Sequence, residues 1–274
     1  PLMRAINIKE IAIELKEAQD DCTQLDPITS RFLNFSIADA YDAAHLIHQQ
    51  RLEEGLVPVG RKIGFTNAKI WPVYGVFEPV WAYMYDKTVT QLTGPLAKCF
   101  IGDYSEPKIE PEIVLHFCST PSVGVTLPEL LESIDKIALG FEIVQSHFPG
   151  WKFQAADTIV DQGLHAELFI GEWQAVNQLG QSIIQDLERF EIALSCNSKL
   201  CELGHGTNVL GSPLKAVLHL ISVLSNHSLS MPIQAGEIVT TGTLTSAFAI
   251  NAGQVWSACL NGMSLPELNI HFET

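Results

Sequence analysis

The sequence predicts an α+β protein, helices first and a mostly β body after them, and three observations support this. Helical periodicity fills roughly the first 55 residues, short β-rich runs broken by Gly and Pro fill most of the remainder, and the regular βα alternation of a doubly wound sheet is missing. No repeat of about 20 to 50 residues runs through the chain.

The elements follow in order. In "INIKEIAIELKEAQDDC", Ile8, Ile11, Leu15 and Ala18 fall on one face of a helix. A second helix, "SIADAYDAAHLIHQQRLEEG", begins at a capping residue, Ser36, and stops at Gly55. From Val57 the texture becomes strand-like: "VPVGRKIGF", "KTVTQL", "KIEPEIVLHF", "KIALGFEIV", "LHAELFIG" and "RFEIALSCN". One more helix, "SPLKAVLHLISVLSNH", opens with Ser212 as cap and Pro213 in the first helical position. Strands resume with "GEIVTTGT", "SAFAINAG" and "QVWSACLNG". The best candidate boundary is "LTGPLAK", which divides an N-terminal helical and β region, 1–97, from a β body, 98–274.

Bulk composition narrows the function. The chain has 274 residues, 47% hydrophobic and 17% charged, enough to bury a large core. Lys plus Arg number 16 against 31 Asp plus Glu, a net charge of -15, and no basic run offsets it, which argues against nucleic acid and anionic membranes as partners. No run approaches the roughly 18 uninterrupted apolar residues of a membrane span, and the first residues are charged and amphipathic, so a cytoplasmic protein is expected. The six cysteines form no CxxC pair, which predicts reduced thiols rather than disulfides or a zinc site.

The chemistry concentrates in "KIEPEIVLHF". Side chains at i and i+2 of a strand share a face, so Glu110 and Glu112 project together, and two like charges that close repel unless protons or a cation intervene. Pro111 between them cannot donate a ladder hydrogen bond, which implies an edge-like position. Glu142 is the third partner: from Ile137 to Val144 it alone is ionisable, and a carboxylate among buried strand residues must be protonated, paired or metal-bound. Three converging carboxylates suit a hard divalent cation, Mg2+ most simply and Mn2+ as the alternative. The bland reading of Glu110 and Glu112 is a solvated strand face.

"IEPE", then "GFE" about thirty residues on, then "GEIVTTGT" and "NAGQ", together with "GRKIGFTNAKI", "DTIVDQGLHAELFIG" and "VLGSPLKAVLHLIS", resemble the fumarylacetoacetate hydrolase superfamily. The match is to its 2-keto-4-pentenoate hydratase and 4-oxalocrotonate decarboxylase branch and spans nearly the whole chain. The resemblance implies a mixed β-sandwich roll with the helical N-terminal part packed against it, assembled as a homodimer or larger homo-oligomer. It implies metal ligation by Glu110, Glu112 and Glu142, an active-site lysine at Lys62, and a substrate-lining turn at Thr241, Gly242 and Thr243. It further implies a metal-dependent lyase, hydratase or decarboxylase, for a small 2-oxo or 2-hydroxydienoic acid, as in aromatic catabolism. Two positions depart from the branch: Val80 stands where the hydratases carry a catalytic Asp, and Leu164 where they often carry a serine. Glu78, two before Val80, and His165 are the remaining candidates for proton transfer, each weighed against an exposed turn acid and a structural histidine. Asp157 and Asp161 are read as turn caps, and His45 with His48 as a helix-surface pair. The competing functions are carbon–carbon hydrolysis of an acylpyruvate-like substrate, and a non-catalytic metal-binding member of the superfamily.

Overall fold

The computed structural model describes residues 5–68, 71–74 and 78–274. Three helices open it: α1 (Ile8–Asp21), α2 (Ile28–Arg31) and α3 (Ile37–Glu53). α1 buries Ile11, Leu15 and Ala18 of the predicted stripe together with Ala12, while Ile8 is half-buried. At the start of α3 the Ser36 hydroxyl accepts from Asp39 N while the Asp39 carboxylate accepts from Ser36 N, a reciprocal capping box that fixes where the helix begins. The short α2 is tied across the fold, since Thr29 donates through both N and Oγ1 to Asp157.

The body continues through β1 (Pro58–Gly64), α4 (Trp71–Tyr74), β2 (Val80–Tyr85), β3 (Val89–Gln91), β4 (Leu96–Phe100), β5 (Lys108–Phe117), α5 (Leu127–Glu132) and β6 (Ile134–Val144). Next come α6 (Ala155–Val160), β7 (His165–Ile170), β8 (Gln174–Ala175), α7 (Ile183–Arg189), β9 (Glu191–Cys196) and β10 (Lys199–His205). The chain finishes with α8 (Pro213–Ser225), β11 (Ile238–Thr240), β12 (Phe248–Ala249), β13 (Val255–Asn261) and β14 (Leu268–Glu273). The fold is α+β. Its larger sheet runs β2-β1-β11-β5-β6-β7-β3, with β12 also on β5 and β8 on β6, and the smaller runs β10-β9-β13-β14-β4.

The division at residue 97 falls inside β4, and β1, β2 and β3 on its N-terminal side are strands of the larger sheet. β1 lies parallel to β11, with Lys62 opposite Thr240, so strands from opposite ends of the chain are neighbours. Parallel pairing needs a long crossover, and local linker composition carries no sign of it.

The edge-like position expected for Pro111 is corrected by the sheet order: β5 is central, between β11 and β6. Its missing N–H is accommodated by a gap. On that side β11 covers Val114 to His116 and β12 covers Lys108 and Ile109, leaving the residues between to the loop that joins β11 to β12. The Pro111 carbonyl points into the gap and accepts from Leu244 N at 3.0 Å, and in an antiparallel strand the N of the same residue points the same way.

The other face of β5, with Ile109, Ile113, Leu115 and Phe117, lies in the core against Phe141 and Ile143 of β6. α8 starts at the Ser212 cap and packs Leu214, Val217, Leu220, Ile221 and Leu224 into that core. The stretch Gly206–Ser225 is apolar enough over 20 residues to cross a bilayer, but much of it is buried in the protein.

Candidate metal centre

The hydrogen-bond register of β5 and β6 builds the site. Glu110 lies directly opposite Glu142 and Glu112 opposite Gly140, so all three carboxylates stand on one face of two adjacent strands. One oxygen from each falls within 4.8 Å of the others. Glu112 and Glu142 are fully buried. Glu112 Oε2 finds no hydrogen-bond partner there, and the group nearest Glu142 Oε1 is the Lys62 ammonium at 3.3 Å. Buried carboxylate oxygens without donors are costly, and a hard cation with several oxygen ligands satisfies them. The donor set fits the divalent ion that the sequence predicts.

Each carboxylate is held from behind. Gly242 N donates to Glu112 Oε1 at 2.5 Å. That turn depends on glycine: Gly242 has φ 100, and a Cβ there would fall 2.0 Å from Thr66 Oγ1. His165 Nδ1 donates to Glu142 Oε2 at 2.8 Å, while Thr88 Oγ1 lies 2.9 Å from His165 Nε2. Lys62 reaches Glu142 Oε1 at 3.3 Å and donates to the Gly163 carbonyl at 2.7 Å.

Gly163 is the centre of an unusual turn. Gln162, Gly163 and Leu164 are consecutive residues with positive φ, at 53, 60 and 66, a conformation that costs energy at the two non-glycine positions. A Cβ on Gly163 would sit 2.9 Å from Lys62 Cδ. The strained turn therefore presents a carbonyl to the ammonium and leaves room for its stem.

Electrostatics separates the three acids. Burial pushes the Glu110 carboxyl up to about 7, against the pull of Lys62, and burial together with the Glu142 charge pushes Glu112 well above the usual range. Burial acts the same way on Glu142, but the Lys62 charge and the His165 hydrogen bond outweigh it and hold the group at about 2. For Lys62, burial works against the charge and the three glutamates overcome it, so the ammonium is kept above its ordinary value. Glu142 is the permanent anion of the set, Lys62 its counter-ion.

Glu110 and Lys62 open onto a cavity of about 460 Å³. Gly242 and Thr243 are among the residues that line it. Thr241 does not line it; it sits behind the turn, with N and Oγ1 both donating to the Ile113 carbonyl. Val80 and Leu164 form an apolar wall. Glu78 precedes β2, is exposed, and is not among the described lining residues, so it does not share a strand face with Val80. His165 is 4% exposed and lies behind Glu142 rather than at the cavity mouth, which makes it a positioning residue for that carboxylate.

Asp157 caps α6, accepting from Gln154 N, and Asp161 accepts from His147 N and ring Nδ1, so both are structural. The sequence reading missed Thr88, Gly163 and, at the outer end of the cavity, Lys108, whose ammonium lies 4.1 Å from the Trp151 ring centroid. For Lys108 a signal was present: it precedes Glu110 by two and shares its face.

The three strand carboxylates, the buried lysine and the cavity beside them form a candidate divalent-cation site. Comparison with known proteins shows what the chain is similar to. The chain is 28% identical over 258 residues, 93% of this chain and 91% of the other, to 2-keto-4-pentenoate hydratase of Paraburkholderia xenovorans (strain LB400). It is 25% identical over 255 residues, 91% and 92% of the two chains, to 4-oxalocrotonate decarboxylase of Pseudomonas putida. Its fold matches that of 4-oxalocrotonate decarboxylase from Pseudomonas putida G7, complexed with magnesium and adipate, with TM-score 0.88, 23% identity, and 98% and 99% of the chains covered. A more distant match is fumarylpyruvate hydrolase from Pseudomonas aeruginosa in complex with Mn2+ and pyruvate, with TM-score 0.55, 13% identity, and 79% and 90% covered. No family model matches the chain. In sequence the chain is thus similar to 2-keto-4-pentenoate hydratases and 4-oxalocrotonate decarboxylases, and its fold is shared with 4-oxalocrotonate decarboxylase and, more distantly, with a solved fumarylacetoacetate hydrolase family protein.

Proposed function

We propose that the protein is a divalent-metal-dependent lyase, hydratase or decarboxylase, for a small 2-oxo or 2-hydroxydienoic acid of the 2-keto-4-pentenoate type. The observation that carries this reading is the convergence of Glu110, Glu112 and Glu142 beside a buried ammonium, with Glu112 Oε2 left without a donor. The hydratase and decarboxylase names of the relatives support it.

Glu110, Glu112 and Glu142 would hold the ion, Mg2+ or Mn2+, which when bound supplies a Lewis acid for the 2-oxo group. Lys62 Nζ places a charge-assisted donor beside the triad, where negative charge develops on an oxo acid losing a proton or carbon dioxide. Its three partners keep it protonated, so it holds a proton at Nζ and does not start as a base. Val80 and Leu164 exclude water from the reacting end. The ionisable side chains described along the cavity are Lys62, Lys108, Glu110 and Glu202, and of the two lysines Lys62 is the one paired with the triad, which makes it the candidate to hold a proton beside the substrate. The substrate-lining role goes to Gly242 and Thr243.

An assay panel with Mg2+ tests the reading. Loss of 2-hydroxypenta-2,4-dienoate absorbance, or carbon dioxide release from 2-oxohex-3-enedioate, is the expected result, and either is abolished by Glu110→Gln. Pyruvate release from an acylpyruvate with no turnover of either dienoate overturns it in favour of a hydrolase.

A further inference from the structure

The cavity beside the metal centre is lined by two lysines, and they stand in different electrostatic surroundings. Lys62 is taken up by Glu142 and by the Gly163 carbonyl. Lys108 is half-buried and makes no ion pair and no hydrogen bond among the described residues. Its neighbours across the sheet are Val144 of β6 and Ala249 of β12, so nothing beside it in the register supplies a negative charge. A partly desolvated ammonium in a cavity wall favours an anionic partner.

The ammonium is nevertheless held in place. It lies 4.1 Å from the centre of the Trp151 ring, and that ring is fixed by its Nε1, which donates to the Glu106 carbonyl at 2.9 Å. Trp151 has φ 58, a costly conformation for a bulky residue, and it lines the cavity. Other side-chain donors of the wall are turned to the backbone: Thr243 Oγ1 donates to the Thr245 carbonyl, Thr245 Oγ1 to the Ser246 carbonyl and Asn208 Nδ2 to the Leu244 carbonyl. Glu202, a further acid along the cavity, accepts from Ser246 N at 2.8 Å and from its Oγ at 2.9 Å, so its charge has donors of its own.

The strand sets the spacing. Lys108, Glu110 and Glu112 share one face of β5, and two residues along a strand span about 7 Å. That offset matches the reach of a short extended acid: with its 2-oxo acid end at the triad, the far end of a six-carbon chain comes beside Lys108. An apolar far end would leave the ammonium unpaired, whereas a carboxylate there accepts a charge-assisted hydrogen bond from it. We propose that Lys108, braced by Trp151, is the receptor for a second carboxylate at the far end of the substrate, which is therefore a dicarboxylic 2-oxo or 2-hydroxydienoic acid. This inference rests on chelation of the 2-oxo acid end at the three glutamates.

The test is calorimetric titration of 2-oxoadipate and 2-oxohexanoate, acids of equal length that differ in the distal carboxylate, into the full chain at saturating Mg2+. Oxalate, which has no far end, is the control. The expected result is 2-oxoadipate binding at least about tenfold tighter than 2-oxohexanoate in the wild type. Lys108→Met should shrink that advantage to less than about threefold and Lys108→Arg should keep most of it, with oxalate affinity changed less than about threefold in both variants. Equal binding of the two six-carbon acids by the wild type, a comparison that needs no variant, or an advantage that survives Lys108→Met overturns the proposal while the chelate stands. Failure of all three acids to bind, oxalate included, overturns the chelate and this inference with it.

Discussion

Arg61 and Lys62 are neighbours on β1, both buried, and they serve opposite faces of the same sheet. Arg61 is saturated: Glu237 takes its Nε at 3.1 Å, the Pro232 carbonyl its Nη2 at 3.0 Å, and the Met231 carbonyl its Nη1. Its plane is flanked by Trp81 and Tyr83. Lys62 donates to the Gly163 carbonyl and otherwise faces a cluster of acids that outnumbers it. On one face the buried cation has a partner for each of its donors named above, which stabilises the fold; on the other the matching is left incomplete, as a site that must accept a cation and a substrate requires. Alternation of side chains along a strand lets the two regimes lie one residue apart.

The sharpest way to break that comparison is to remove the permanent anion. Glu142→Gln leaves the Lys62 charge without its partner and should cost about 3–5 kcal/mol of metal-free stability in urea unfolding. On the other face, Arg61→Met strands Glu237 and two carbonyls and should cost about 3 kcal/mol, with Mg2+ affinity of the folded protein unchanged by calorimetry. Equal loss of Mg2+ affinity in Arg61→Met would erase the distinction between the faces.

Gly163→Ala is expected to act on chemistry more than on stability. The added methyl meets the Lys62 stem, so kcat should fall about 10- to 100-fold while the fold loses only about 1–2 kcal/mol, and stopped-flow turnover against thermal unfolding separates the two. Rescue of kcat by no other change than restoring glycine is the expected pattern.

The acids also predict a pH response. Glu110 and Glu112 have raised carboxyl values in the folded, metal-free chain, so folding takes up protons near neutrality. Stability from this source is fully present below the ordinary glutamate range and is lost as pH rises towards and through the folded values, about 7 for Glu110. Thermal midpoints of the metal-free protein should therefore fall between pH 5.5 and pH 8, roughly, and Mg2+ should restore them most at the upper end, where it has no protons to displace. The smallest effect is assigned to Thr88→Val, which removes the hydroxyl beside His165 Nε2 and should cost about 1 kcal/mol, or about 2–4 °C in Tm.

Much of the site was legible in the sequence because it is carried by local rules. The i and i+2 spacing of Glu110 and Glu112 fixes their shared face, and a lone carboxylate inside the "KIALGFEIV" run marks Glu142 as its partner. The caps at Ser36 and Ser212 are local in the same way. What escaped was set by sheet order. Whether Pro111 sat on an edge depended on where β11 and β12 end, and the roles of Gly163, Thr88 and Gly242 depended on which strands become neighbours. His165 was visible as a histidine beside a departure from the branch, but its position behind Glu142 follows from the pairing of β6 with β7 and not from its neighbours in sequence.

The most direct test of the metal centre is titration of Mg2+ into the metal-free wild type and Glu142→Gln, with and without oxalate as a mimic of an enolised 2-oxo acid. The account predicts one ion per chain in the wild type, tighter binding with oxalate present, and affinity weakened more than about 100-fold in the variant. Equal binding by both proteins, or no binding by either, would contradict it and leave the three carboxylates as a structural feature of β5 and β6.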